Sequence, residues 1–405
     1  MANKKDIRVK QRSFHVVEPE LPEEEENTPK KRRKKKHGAL RVTVRLLIVI
    51  AVLGGAFLLW KNWDSLAPEA VLDWVDEQLG GKKGSGYPVD ITGSNVISMQ
   101  GMGDKLAVTT DTSLTIYNEG GGQLVSRVHG FTSPITKISG DYILIAEQDG
   151  SRLRLETRRS TVLEMEVEGR IIAASVGSNG SIAVSMKSSQ GYLSEVAVYN
   201  KKGDKLYRRR FPDQLIVATA LAPDGRTFAA AGISAAGGAM KSTLTVFDVK
   251  KTDPVAQYES TDLMLMDVGY FPGGTLFAVG DTALWVVKPG GALDQKQTYT
   301  DSQILGYAIG SDCAAVVYRR HGNTSGGEVL TVAPGGDVLF TQSFNGDFRA
   351  LSAAADGLLL LTSDQLHRYD IKGADSAQEI PRDGLKVTPL GKKTVVLGLS
   401  ALTTY

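Results

Sequence analysis

The chain has 405 residues, with 47 Lys and Arg, 45 Asp and Glu, and one cysteine. That single cysteine, Cys313, excludes an intramolecular disulfide, and the formal charge of +2 hides two regions of opposite sign. Residues 1–45 carry +7 and the rest of the chain carries −5.

Residues 1–41 read as a disordered tail, acidic and then polybasic. Glu23 to Glu26 form an acidic run, Pro19, Pro22 and Pro29 interrupt helices, and Lys30 to Lys36 form a basic block. Such a composition offers too little apolar surface to offset the entropy of ordering. The basic block matches a nucleic-acid pattern, but its place directly before an apolar run favours contact with anionic lipids, and no nucleic-acid partner is expected.

Residues 42–61 are expected to form a transmembrane helix. Val42 to Trp60 contains one charge, Arg45. At about 1.5 Å per residue it approaches the roughly 30 Å hydrocarbon core. Arg41, Arg45 and Lys61 can snorkel to the two surfaces, and Trp60 and Trp63 suit an interface. The basic block keeps the N-terminus in the cytoplasm and sends the rest across the membrane. The small-residue site Ser65-Leu66-Ala67 is followed by Pro68, which disfavours cleavage, so the segment reads as an uncleaved signal-anchor.

Residues 62–79 are expected to form a short juxtamembrane amphipathic stalk helix. Pro68 and Glu69 fit its first turn, and Val71, Leu72, Val75 and Leu79 share one face. Residues 80–86 read as a flexible Gly-rich linker.

From 87 to 405 the texture is all-β: short apolar runs separated by Gly, Asp, Asn and Pro. Turn signals recur at 103, 140, 179, 224, 273, 311, 356 and 391, in steps averaging about 41 residues, the length of a four-stranded propeller blade. Within each unit the first strand is small-residue and apolar, as in Ile216 to Leu221. The third carries an aromatic and ends polar, as in Val196 to Asn200, and the fourth is polar, as in Lys205 to Arg210. A propeller accounts for this gradient, because blades converge on an axis and leave little room there. Eight turns imply eight blades, with seven as the alternative. The last unit, Leu385 to Tyr405, holds three strands, and the orphan Tyr87 to Ile91 is expected to supply its fourth and close the ring.

The turns Ala222-Pro223-Asp224-Gly225 and Phe271-Pro272-Gly273-Gly274 resemble those of WD-repeat and YVTN-type propellers, although no Trp-Asp dipeptide occurs in the blades. The whole layout, with its stalk AVLDWVDEQL, resembles an uncharacterised family of Gram-positive bacterial single-pass membrane proteins. The resemblance implies location and fold, and it brings no activity to carry over.

No catalytic, cofactor-binding or metal-ligating residues are expected. The five histidines are scattered, Gly232 to Ala236 fails the nucleophile-elbow pattern, and Cys313 reads as a small core residue. Arg152, Arg154, Arg158, Arg159, Arg208, Arg209 and Arg210 cluster on what read as neighbouring outer strands and form a candidate surface for an anionic partner, against the plainer reading of edge strands protected by charge. Gly232 to Met240 and His321 to Gly327 read as long loops. The functional expectation is a membrane-anchored extracytoplasmic binding scaffold or sensor, binding an envelope protein or anionic polymer. The alternatives are an envelope enzyme built from dispersed loop residues and a single-pass signalling protein.

Overall fold

The computed structural model describes residues 84–405, Gly237 aside, all within the compact unit Leu72–Tyr405. The expected tail, span and stalk lie outside the described residues, as do Arg41, Arg45, Trp60, Lys61 and Trp63. Among the described residues no helix is long and apolar enough to cross a membrane.

Among the described residues, thirty-two strands form eight separate four-stranded sheets. Seven blades use consecutive strands: blade 1 spans 96–128, blade 2 134–166, blade 3 171–211, blade 4 215–260, blade 5 265–298, blade 6 302–344 and blade 7 348–379. In each, the first strand is innermost and the fourth outermost. Blade 8 is built from Lys386–Leu390, Lys393–Leu397 and Ala401–Thr404, and its outer strand is Val89–Asp90 from the other end of the domain. All pairings are antiparallel.

The propeller has no central core. It has eight, one at each interface between neighbouring blades. Alternate side chains of a second strand feed different cores. Ile143 and Ile145 pack with blade 1, whereas Leu144 and Ala146 pack with blade 3. Second strands are therefore buried on both faces and read as unbroken apolar runs. Inner strands approach one another so closely that side chains are excluded at points. A Cβ on Gly306 would stand 2.5 Å from Phe348 of the next blade, and one on Gly101 would stand 2.2 Å from the Pro389 carbonyl.

The polar ends of the third strands have a shared use. Asn118, Asn200, Asp248 and Asp370 each accept a backbone N–H two residues on, at 2.8–3.0 Å, which builds the turn into the outer strand. Gly121, Gly203 and Gly373 follow at φ of 76°, 89° and 83°, a region that disfavours side chains.

The seam between blades 8 and 1 is sealed at several radii. Val89 pairs with Leu402 and Asp90 with Ala401, and the Ile91 N–H donates to the Ser400 carbonyl at 2.8 Å. Closer to the axis, the Gly101 N–H donates to Thr388 Oγ1 at 3.0 Å. The sealing strand is shorter than Tyr87 to Ile91, because the Asp90 carboxylate accepts the Thr92 N–H and turns the chain away. The end of the expected flexible linker is seated: the Gly86 N–H donates to the Gly120 carbonyl of blade 1 at 3.2 Å.

Because strands alternate in direction, the molecule has two distinct faces. The turns from first to second and from third to outer strands lie on one face. The turns from second to third strands and the connections between blades lie on the other. Gly84 to Gly86 sit against the third-to-outer turn of blade 1, so the chain enters on the first face, here termed proximal. The other is the distal face.

Deleting residues 87–91 removes one strand from blade 8 and part of the core that contains Tyr87, Val89 and Ile91. The expected outcome is a fall in melting temperature of at least about 4 °C and aggregation through the bared edge of Ala401–Thr404. Calorimetry and light scattering on the two proteins check it; equal stability and solubility would mean that the strand does not close the ring.

Candidate functional site

The arginines do not form one free surface. Arg152 and Arg154 lie on the third strand of blade 2, one strand further in than expected, and Arg158 and Arg159 lie in the turn that follows. Arg208, Arg209 and Arg210 lie on the outer strand of blade 3, as expected. Most of them face carboxylates of their own chain. Arg154 pairs with Glu156 at 2.5 Å, and Arg127 from blade 1 reaches the same carboxylate at 3.1 Å and donates to the carbonyls of Thr157 and Arg158. Glu156 is 1% exposed. Arg208 donates to both Glu195 oxygens at 2.8 Å and lies 2.7 Å from Glu168, and Arg210 stacks over Tyr192. Arg209 donates to the Thr252 carbonyl of blade 4. Arg152 pairs with Glu147 and lies over the Phe131 ring. The physical outcome is a set of ties between blades 1, 2, 3 and 4.

His129 belongs to this region. Its Nδ1 accepts the Phe131 N–H and its Nε2 donates to the Thr110 carbonyl, an arrangement of the neutral ring. Burial pushes its pKa down, with a further push from the Arg154 charge, against the opposing Thr110 bond and Asp111. Cys313 is buried with its thiol on the Gly357 carbonyl, and burial raises it to about 11, so it is a core residue in fact. Among the described residues no group of His, Cys, Asp or Glu has the geometry of a metal site.

At the axis stands a group that local sequence pattern does not reveal. Lys137 of blade 2 and Asp267 of blade 5 are three blades apart, yet their side chains meet at 3.4 Å across the channel. The Tyr307 hydroxyl of blade 6 donates to the same Asp267 oxygen at 3.1 Å. Burial raises the Tyr307 pKa, and the Asp267 charge adds to the effect. The available signal was a charge in the middle of an inner strand, as in Ile135-Thr136-Lys137-Ile138 and Met266-Asp267-Val268.

Six of the eight inner strands skip one residue in pairing near their distal end: Ile97, Ile172, Val217, Met266, Leu305 and Arg349. Each skipped residue is an inserted one that bends its strand, and together they ring the distal mouth of the channel. Of the two segments expected as long loops, His321 to Gly326 is one. Gly232 to Met240 is not: the ladder continues from Gly232↔Thr243 to Ala236↔Ala239, so cross-strand pairing carries the hairpin through it despite a composition poor in strand formers.

The two faces differ in chemistry. Among the described residues, the distal connections hold ten Asp or Glu against three Lys or Arg, and the proximal turns hold nine of each. Nine of the fourteen large exposed apolar side chains also lie on the distal side.

Residues 87–398 match the family model described as "Family of unknown function (DUF5711)", and the chain belongs to that family. No curated protein matches it in sequence. Among solved structures it is similar to the C-terminal WD40 domain of Sif2, with a TM-score of 0.57, 14% identity, and 79% of this chain and 98% of that one covered. It is also matched by BamB from Moraxella catarrhalis, with a TM-score of 0.49, 13% identity and 78% and 99% coverage. At such identities the likeness to the WD40 domain establishes the fold alone.

Two outcomes are expected here. Glu156→Ala leaves Arg127 and Arg154 without their buried partner and should cost about 3–5 kcal/mol in chemical denaturation, whereas Lys137→Met at the solvated channel pair should cost about 1 kcal/mol or less. For His129, the folded-state pKa lies below the unfolded one, so the unfolded chain binds the proton first as pH falls. Its contribution is whole above about 6.5 and is lost as pH drops through the folded value. Between pH 7.5 and 5 the wild type should therefore lose more melting temperature than His129→Gln.

Proposed function

We propose that this member of the DUF5711 family is a membrane-tethered, extracytoplasmic binding scaffold of the cell envelope. Residues 42–61 span the membrane, the N-terminal tail stays in the cytoplasm with its basic block against anionic lipids, and the propeller lies outside. The family match gives no activity, and the proposal assigns none. The observation that carries it is the opposition of the two faces. The described chain enters the ring on the proximal face, and the acidic, apolar distal face is the one with the composition to meet a partner. A rigid closed ring that displays loops from eight blades is a binding platform by construction. An envelope protein is a better ligand than an anionic polymer, since the arginines that would meet a polymer are engaged within the chain.

Protease added outside intact protoplasts is expected to remove the propeller and leave a membrane-bound stub of about 60–80 residues. A protected propeller with a digested tail would reverse the topology. A soluble released protein would show cleavage near Ser65 to Ala67.

A further inference from the structure

The distal surface of blades 4 and 5 has a composition that solvent exposure alone does not account for. Met240, Met264 and Met266 are 50%, 41% and 41% exposed, three of only eight methionines in the chain. Carboxylates stand around Met264. Asp262 and Asp301 are exposed, and Asp281 is half-buried, its carboxylate taking the Met264 N–H at 2.8 Å while its own N–H returns to the Met264 carbonyl. Thr282 beside it donates to the Asp262 carbonyl, and the Tyr299 N–H donates to Thr282, which brings the segment leading to Asp301 alongside. The nearby cations Lys241 and Lys137 are both paired: Lys241 with Glu259 at 3.2 Å, and Lys137 with Asp267, next to Met266, at 3.4 Å.

We infer that this methionine surface is a docking site for a cationic amphipathic segment of a partner protein, in which Lys or Arg alternate with bulky apolar side chains. The inference rests on the scaffold reading and names its partner class. Thioether side chains are unbranched and polarisable, so they mould to different apolar anchors without a preformed pocket. The carboxylates at the rim then set the sign of the ligand's charge. Membrane surfaces and nucleic acids are anionic, and the ten-to-three excess of carboxylates on the distal connections repels both. A second copy docking face to face would oppose like charges. A cationic segment with an apolar stripe satisfies both halves of the patch.

The test uses the full chain in detergent and three probes: a synthetic amphipathic helix of Leu and Lys, its Leu and Glu counterpart, and phosphatidylglycerol vesicles added to the chain reconstituted in neutral lipid. Saturable binding of the Leu/Lys peptide is expected, with affinity that falls as salt rises, and neither of the other two probes should bind at the propeller. M264S/M266S should weaken peptide binding at least about tenfold, and D262N/D301N should weaken it while flattening its salt dependence. Leu399→Ser on blade 8 is a control that should leave binding unchanged, and all variants are checked for an unaltered melting temperature. Equal binding by wild type and M264S/M266S, or equal affinity for the Leu/Glu peptide, overturns the inference.

In cells, a photo-reactive residue at Met264 should capture a segment of the stated chemistry, and one at Ile371 on the proximal face should not. Capture of a segment without basic residues overturns the inference. Capture elsewhere on the distal face but not at Met264 overturns it and leaves the scaffold reading intact. Capture at no distal position overturns both.

Discussion

The structure depends on apolar burial between neighbouring blades, not on an apolar core at the centre. A blade standing alone would expose two apolar faces, because its second strand sends Ile143 and Ile145 one way and Leu144 and Ala146 the other. Each sheet is stable through its two neighbours, and each neighbour through its own. Such an arrangement has no natural end short of closing on itself. Closure is therefore a thermodynamic requirement of the whole domain, and the seam between blades 8 and 1 is where the chain must supply it. The two residues Val89 and Asp90 make a short strand, but they complete the core that joins Met99, Leu106 and Tyr117 to Leu390, Val395 and Leu402.

Placing the sealing strand at the N-terminal end has a geometric consequence. The chain reaches the ring at its periphery and on a fixed face, against the Gly120 turn of blade 1. The first described residues, Gly84 to Gly86, thus lie on the proximal face. Partly buried charges also join the blades. Arg127, held by Glu156 and two carbonyls, and Arg209, held by the Thr252 carbonyl, join neighbouring blades outside the apolar cores. These pairs fix how one blade sits on the next, a task that non-directional apolar contacts perform poorly.

What could be read from the sequence follows from the range of the interactions involved. The turns recur because each is local: an Asn or Asp at the end of the third strand needs only the N–H groups just ahead of it and a glycine at positive φ, as at Asn118 and Gly121. The strand gradient is also local, since radial position sets side-chain volume in every blade alike. The blade count and the sealing strand followed from these two signals. Lys137 and Asp267 were illegible because 130 positions separate them, and their meeting depends on the channel's width. The partners of the arginines were hidden for a related reason. A run of basic residues on a strand looks like surface until the carboxylates of adjacent strands and blades are placed against it, as Glu195 and Glu168 are against Arg208. Gly232 to Met240 looked like a loop by composition, and cross-strand pairing made it a hairpin.

The same alternation that builds the cores shows what the fold does not require. Along the connection into blade 5, Leu263 and Leu265 turn inward and are almost fully buried in the core shared with blade 4, while Met264 and Met266 turn outward. The pleat dictates that these two positions face away from the core and says nothing of which residue should stand there. A Ser, Thr or Lys would satisfy the backbone as well and would avoid exposing apolar surface to water. Met266 is in addition the inserted residue of its strand, with no pairing duty to constrain it. Folding therefore leaves the choice of residue at 264 and 266 open, and two exposed methionines there are the observation from which the proposed docking of a cationic segment starts.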